Sequence, residues 1–302
     1  MKKILITGAG GFIGSHLAED CVKRGFKVRA FVRYNGRNNW GWLEGLPALK
    51  EMDVVTGDIR DYDSVSAAMK GCDAVFHLAA LIGIPYSYVS PLAYVKTNIE
   101  GTYNILQSAK ELSVKNVIVT STSETYGTAQ YIPIDEKHPM VGQSPYAASK
   151  VAADQLAISY HRSFGLPVKI ARPFNTYGPR QSARAIVPTI IAQIAGGAKE
   201  LRLGNLFPTR DFTFVRDTVA GFLALAETPG LYGEAFNIGS GTEISIGELV
   251  KLIASLTKVK VCVVAEEERT RRKGSEVERL VCDNRKILAS TDWRPRITLE
   301  KG

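Results

Sequence analysis

Tyr146 and Lys150, in the run Tyr146-Ala147-Ala148-Ser149-Lys150, stand out with Thr122-Ser123-Glu124 upstream as the residues best suited to proton chemistry. Positions four apart on a helix share a face, so the phenol and the ammonium can serve one site. A tyrosine hydroxyl ordinarily titrates near ~10, too high for a base at neutral pH. A neighbouring ammonium favours the phenolate and is expected to bring that value towards the working range. The spacing is common on amphipathic helices, so its meaning depends on what precedes it.

The elements that would position these groups read in order. Lys3 to Thr7 is a β-rich run, followed by Gly8-Ala9-Gly10-Gly11-Phe12-Ile13-Gly14 and a helical pattern through Leu17, Ala18 and Val22. Strand, glycine turn and helix in that order suit a dinucleotide pyrophosphate. Gly8, Gly11 and Gly14 allow the turn and the close approach, and Phe12 and Ile13 open the helix whose N-terminus faces the phosphates. Lys27 to Val32 is the second strand. An acidic residue at its end would bind a ribose 2′-hydroxyl, but Val32-Arg33 stand there. Arginine pairs with a 2′-phosphate, so NADP is favoured over NAD. Asp58, followed by Ile59, is placed to bond the adenine amine. Ala74 to His77 is a buried strand running into Leu78-Ala79-Ala80, small residues suited to backbone passing close to a cofactor. His77 is read as a locally bonded side chain.

Thr97 to Lys110 is helical and carries Asn98 and Gly101, Asn116 to Ser121 is a strand, and Ser144-Pro145 caps the helix of Tyr146 and Lys150. Thr122-Ser123-Glu124 thus stands at the carboxyl end of a parallel strand, where open α/β sheets place their chemistry. Val168 to Arg172 continues the alternation. The fold class is α/β, a Rossmann-type doubly wound parallel sheet with a smaller interleaved C-terminal substrate domain. After Pro173 the texture becomes turn-rich. Residues 1–173 with about 213–240, including a strand at Ala235 to Ile238, are assigned to the dinucleotide domain; about 174–212 with 241–302 are assigned to the substrate domain.

Composition limits the partners. The chain has 302 residues, 45% hydrophobic and 23% charged, which is ordinary for a globule with a large core. The net charge of +8 is scattered apart from Arg269 to Lys273, directly after Glu266-Glu267-Glu268, and no aromatic-interleaved basic stripe accompanies it. An anionic small substrate fits better than nucleic acid. Cys21, Cys72, Cys262 and Cys282 show no paired metal or redox spacing, so no metal site and reduced, cytoplasmic thiols are expected. Glycines and acidic residues break the apolar start, and no run approaches the ~18 apolar residues of a membrane span.

Taken together these landmarks resemble the extended short-chain dehydrogenase/reductase family, and within it the nucleotide-sugar epimerases and dehydratases. The matching residues are Gly8-x-x-Gly11-x-x-Gly14, Asp58, His77-Leu78-Ala79-Ala80, Asn98, Thr122-Ser123-Glu124, Tyr146-x-x-x-Lys150, Arg172-Pro173-Phe174-Asn175-x-Tyr177-Gly178-Pro179 and Arg210-Asp211-Phe212. Family C4 epimerases usually carry a small residue at the third position of the 122–124 triplet, whereas 4,6-dehydratases carry Glu. Thr122-Ser123-Glu124 looks like the GDP-mannose dehydratase triplet, although UDP-glucuronate decarboxylases also carry Ser-Glu. Residues 178–188 and Ser275-Glu276-Val277 resemble dehydratases acting on nucleotide-linked N-acetylglucosamine, as in legionaminic acid pathways. The family continues past Leu299-Glu300-Lys301-Gly302 into a terminal helix, so a truncated chain is expected.

The resemblance implies a catalytic set of Thr122, Ser123, Glu124, Tyr146 and Lys150, with Tyr146, Lys150 and Asn98 also touching cofactor. Oxidation at C4 acidifies the C5 hydrogen, Glu124 removes it, water leaves C6, and the stored hydride returns to C6 to give a 4-keto-6-deoxy sugar. Substrate phosphates would be held by Arg210 and Arg271 with Asn175 and Arg180. A homodimer is implied through Thr97–Lys110 and Tyr146–Ser163, whose apolar residues include Ile105, Leu106, Val151, Leu156 and Ile158. The expected function is a nucleotide-sugar 4,6-dehydratase acting on UDP- or GDP-N-acetylglucosamine. The alternatives are a decarboxylase, a C4 epimerase, or a catalytically silent dinucleotide-sensing protein.

Overall fold

The computed structural model describes residues 1–266 and 273–302. The first six strands are β1 (Lys3–Thr7), β2 (Lys27–Arg33), β3 (Met52–Gly57), β4 (Ala74–His77), β5 (Asn116–Thr120) and β6 (Val168–Pro173). Between them lie α1 (Phe12–Lys23), α2 (Tyr62–Met69), α3 (Ile84–Val89), α4 (Pro91–Tyr94), α5 (Gly101–Glu111) and α6 (Pro145–Phe164). A π-helical turn, Val95–Glu100, leads directly into α5. Then follow β7 (Asn175–Tyr177), α7 (Ile186–Ala195), β8 (Glu200–Leu203), β9 (Thr209–Arg210), β10 (Phe212–Phe214) and α8 (Val215–Glu227). The chain closes with β11 (Ala235–Ile238), β12 (Ile244–Ser245), α9 (Ile246–Thr257), β13 (Cys262–Ala265), β14 (Arg279–Leu280) and α10 (Arg285–Ser290).

Seven strands form one parallel sheet in the order β11-β6-β5-β4-β1-β2-β3. From β1 the chain winds outward to β2 and β3, returns to β4 beside β1, and winds the other way through β5, β6 and β11. This is the doubly wound sheet that the alternation predicts. The winding reverses between β1 and β4, where Thr7 and His77 are register partners; a crevice beyond the carboxyl ends of the strands is the ligand site of such sheets.

Alternation of side chains builds a core on each face. Ile4, Ile6, Phe76 and Ala171 pack with Leu17 and Phe222 on one side, while Leu5, Val75, Val119 and Ile170 pack with Ile105, Leu106 and Ala157 on the other. Ile105 and Leu106 are thus committed to the core, and Leu156 and Ile158 pack against it. The exposed aromatics of these helices are Tyr103 (44%) on α5 and Phe164 (56%) on α6.

Helix α6 has clear start and stop signals. The Ser144 hydroxyl accepts the Ala147 amide at 3.1 Å, Pro145 opens the first turn, and Gly165 ends the helix in a left-handed conformation at φ 67°. Among the described residues no helix is long and apolar enough to cross a membrane, and no group of three His, Cys, Asp or Glu could hold a metal ion.

Candidate active site

The glycine turn forms a cradle that other residues would fill. Gly8 sits at φ +68°, and a Cβ there would stand 2.8 Å from the Ala79 amide nitrogen; at Gly14 it would stand 2.2 Å from the Gly8 carbonyl oxygen. The turn is closed by the Gly11 amide donating to the Gly8 carbonyl at 3.0 Å. Helix α1 begins at Phe12 and Ile13 with no side-chain cap and no acid in its first turn, leaving its end amides for an anion. These residues fit a dinucleotide pyrophosphate.

The adjoining wall is fixed by a chain of hydroxyls around His77. Thr7 Oγ1 accepts the amides of Leu78 (3.1 Å) and Ala79 (3.2 Å), which leaves its own proton for His77 Nδ1 at 2.8 Å. His77 Nε2 then donates to Thr102 Oγ1 at 3.1 Å, and Thr102 donates to the Asn98 carbonyl at 2.6 Å. This pattern assigns a neutral ring protonated on Nε2. Burial, with the Lys150 charge nearby, pushes the His77 pKa down to about 3. The Asn98 side chain clasps the backbone of Leu81 at 2.8 and 2.9 Å and donates to Ser149 at 2.9 Å, bracing the segment after Ala80 against α6.

At the far end of the crevice, Asp58 accepts the Arg60 guanidinium at 2.5 Å. That bonding holds its carboxyl below the ordinary range, with the Arg33 charge contributing. Arg33 ends β2 exposed, and Ile59 is buried with its carbonyl accepting from Asn104 at 2.9 Å.

The proton-transfer candidates converge beyond β5. Thr122 precedes the 3₁₀ turn Ser123–Tyr126, and its hydroxyl accepts the Glu124 amide at 3.3 Å. The Tyr146 hydroxyl lies near Thr122, which eases its ionisation, and in the field of Glu124, and its ring meets the Tyr94 ring edge-on at 6.2 Å. Lys150 donates to the Thr120 carbonyl at 2.5 Å. This corrects the expectation of a directly lowered phenol. Burial raises the Tyr146 pKa above its ordinary value, and Thr122 offsets only part of that. Burial also depresses Lys150 to about 8, with the Asp154 charge opposing it.

The expected substrate contacts divide. Asn175 lies on β7 with a buried Oδ1 that has no hydrogen-bond partner among the described residues. Arg210 is buried, donating to the Thr209 carbonyl at 2.8 Å and pairing with Glu276 at 3.3 Å. It is presented there by Asp211, whose carboxylate accepts from Ser240, Gly241 and Cys282. Arg180 instead turns to α1, pairing with Glu19 at 2.7 Å and reaching Ser15 at 3.4 Å, so its guanidinium is already occupied. Arg271 lies outside the described residues.

Residues 5–302 match the family model for GDP-mannose 4,6 dehydratase. The chain belongs to that family. It is thereby one of the extended short-chain dehydrogenase/reductases that act on nucleotide sugars. The chain is 34% identical to the dTDP-glucose 4,6-dehydratase of Streptomyces antibioticus over 304 residues, 99% of this chain and 89% of the relative. It is equally 34% identical, over 312 residues, to the UDP-N-acetyl-alpha-D-glucosaminuronate decarboxylase of Bacillus cytotoxicus, covering 100% of this chain and 95% of the relative. Among solved structures it resembles the UDP-glucuronic acid 4-epimerase of Bacillus cereus in complex with UDP-glucuronic acid and NAD. The TM-score is 0.89 and the identity 29%, over 99% of this chain and 96% of the other. Such relatives span three reactions on one fold, so the reaction has to be argued from the site. Beside the proton-transfer candidates lie Ser121, Tyr126 and Asp154, which sequence reasoning passed over. Asp154 alone carried a signal, as it continues the four-residue spacing from Tyr146 through Lys150.

Proposed function

We propose that this enzyme is an NAD(P)-dependent nucleotide-sugar 4,6-dehydratase that acts in the cytoplasm on UDP- or GDP-N-acetylglucosamine. The observation that carries the reading is Glu124 on the turn beside the Thr122–Tyr146 hydroxyl pair, where its charge is felt at the phenol. A carboxylate at that place serves a reaction that must break a C–H bond next to C4. The acetamido sugar is supported by the resemblance in residues 178–188 and by the relative named for an N-acetylated sugar nucleotide.

The bound dinucleotide supplies reversible oxidation and reduction of the sugar. Thr122 and Tyr146 hold the C4 hydroxyl, and Tyr146 takes its proton, with Lys150 supplying positive charge nearby. Once C4 is a ketone the C5 hydrogen is acidic, and Glu124 removes it. Ser123 is a poor acid, so Glu124 passes that proton to the C6 hydroxyl, which leaves as water. Arg210 and Asn175, with Arg271, take the substrate's phosphate end, where two negative charges suit arginine.

Two finer points complete the proposal. Arg33, exposed where an acid would select the 2′-hydroxyl, favours NADP over the NAD held by the related epimerase. The working form is a homodimer through α5 and α6, with Tyr103 and Phe164 as the contacting aromatics. The decisive experiment incubates the protein with a panel of nucleotide sugars and reads the products by mass spectrometry. Loss of water supports the reading; loss of carbon dioxide, isomerisation or no change of any sugar refutes it.

A further inference from the structure

Asp154 stands one helical turn beyond Lys150 and two beyond Tyr146, so α6 carries all three on one buried face. Its Oδ2 accepts the Ser121 hydroxyl at 2.7 Å and the Arg172 guanidinium at 3.0 Å from Nε and 2.8 Å from Nη2. Arg172 also donates from Nη1 to the Tyr126 hydroxyl at 2.9 Å and stacks 5.0 Å over that ring. Tyr126 in turn donates to Asn237 Oδ1 at 2.7 Å. Ser121 immediately precedes Thr122, and Tyr126 closes the turn that carries Glu124. One carboxylate therefore grips this turn at both ends, directly at Ser121 and through a single guanidinium at Tyr126.

Stability alone does not account for such a pair. Desolvating two charges offsets most of their attraction, and apolar side chains would join α6 to β6 as firmly. Apolar side chains would not hold Ser121 and Tyr126 in register with the helix face that bears Tyr146 and Lys150.

We propose that Asp154 and Arg172 are positioning residues, which clamp the Thr122–Glu124 turn at both ends and set it against Tyr146 and Lys150. Ser121→Ala and Tyr126→Phe each release one end and leave the buried ion pair in place. The unaltered enzyme, both variants and the double variant are compared with cofactor and a nucleotide sugar that the unaltered enzyme oxidises. Each single release slows exchange of the C5 hydrogen with solvent deuterium by roughly 10–10²-fold, the cost of misplacing a reacting group by about 1 Å. The double release slows it further, while KM stays within about twofold; the lost buried bonds lower the melting temperature, so exchange is read per folded molecule, well below the melting point of each variant. A merely structural role lowers the melting temperature and leaves the exchange rate per folded molecule intact. Exchange per folded molecule within twofold of the unaltered enzyme in both single variants overturns the clamp. The exchange readout rests on the dehydratase reading. An unaltered enzyme that oxidises C4 without ever exchanging C5 defeats that reading by itself. The clamp is then judged by the same criteria from reduced-nicotinamide absorbance, since C4 oxidation also depends on Thr122 and Tyr146.

Discussion

The Lys150 ammonium donates to the main-chain carbonyl of Thr120 at 2.5 Å, although the Tyr146 hydroxyl lies on the same helix face one turn earlier. Thr120 ends β5 and Thr122 follows two residues on, so the lysine is anchored to the strand that delivers the Thr122–Glu124 turn. Burial holds the Tyr146 pKa above its ordinary value, so the proton transfer proposed for it needs a further stabiliser of the phenolate, which the positive ring of an oxidised nicotinamide would supply when bound.

A buried lysine depressed to about 8 gives stability a measurable pH dependence. The unfolded lysine keeps its proton up to its ordinary value near ~10.5, whereas the folded one loses it near 8. Between those values the unfolded state binds more protons, so this residue makes unfolding free energy rise with pH. Below 8 the buried charge costs stability in full. Lys150→Met should therefore be more stable than the unaltered protein at pH 7, with the advantage shrinking as pH rises to 10.5. Lys169, also depressed to about 8 by burial, is present in both proteins and cancels in the comparison. Urea unfolding at pH 7, 9 and 10.5 tests this; an advantage that stays constant across the three means Lys150 is not the titrating group.

The cofactor preference can be checked at one exposed side chain. Arg33→Ala should weaken NADP binding by ~1.5–3 kcal/mol, the value of a lost charged hydrogen bond, and spare NAD. Titration of both dinucleotides by calorimetry decides it. Equal affinities in the unaltered protein, unchanged by the substitution, would leave Arg33 as a solvated surface residue.

Arg210 is expected to act in binding. Arg210→Ala should raise KM by roughly 10–10²-fold, as for a charged hydrogen bond, with a smaller fall in turnover. Steady-state kinetics on the nucleotide sugar separate the two effects. A fall in turnover at constant KM would move Arg210 out of the phosphate site.

The dimer prediction passes to residues that sequence periodicity did not select. Ile105 and Leu106 are among the apolar residues that the sequence offers for an interface, yet they pack in the core against the sheet, and Tyr103 and Phe164 are the exposed aromatics of these helices. Sedimentation should show a dimer at micromolar concentration, and Tyr103→Glu with Phe164→Glu should shift it to monomer. A monomeric unaltered protein ends the proposal.

That reassignment marks where the sequence is informative. The glycine turn, the alternation of strand and helix, and Tyr146-x-x-x-Lys150 are local patterns whose physical meaning lies within a few residues. Which side of a two-sided amphipathic helix meets the core is decided by the sheet it packs on, and no spacing within α5 expresses that. Arg180 illustrates the same limit: it sits in a run that looks suited to substrate, yet its partner Glu19 lies on α1, 161 positions away. The contacts behind the proposed clamp were hidden because Ser121, Asp154 and Arg172 meet only when β5, α6 and β6 are assembled.

Glu124 carries the sharpest prediction. In the proposed mechanism a carboxylate beside Thr122 and Tyr146 has no part in moving the C4 hydroxyl proton, which falls to those two hydroxyls. Its work begins only when C4 is a ketone, because no carboxylate removes an unactivated C–H proton at a useful rate. Glu124→Gln keeps the shape of the side chain and removes the base. Oxidation at C4 should survive, visible as slow growth of reduced-nicotinamide absorbance, while release of the 4-keto-6-deoxy product falls by roughly 10²–10⁴-fold, the usual scale of acid–base assistance. C5 exchange with solvent deuterium should fall by the same factor, because proton removal and water loss depend on one residue. Tyr146→Phe should abolish both absorbance and product. If Glu124→Gln dehydrates at near-normal rates, Ser123 or a solvent molecule supplies the acid and base, and Glu124 serves only to hold its turn.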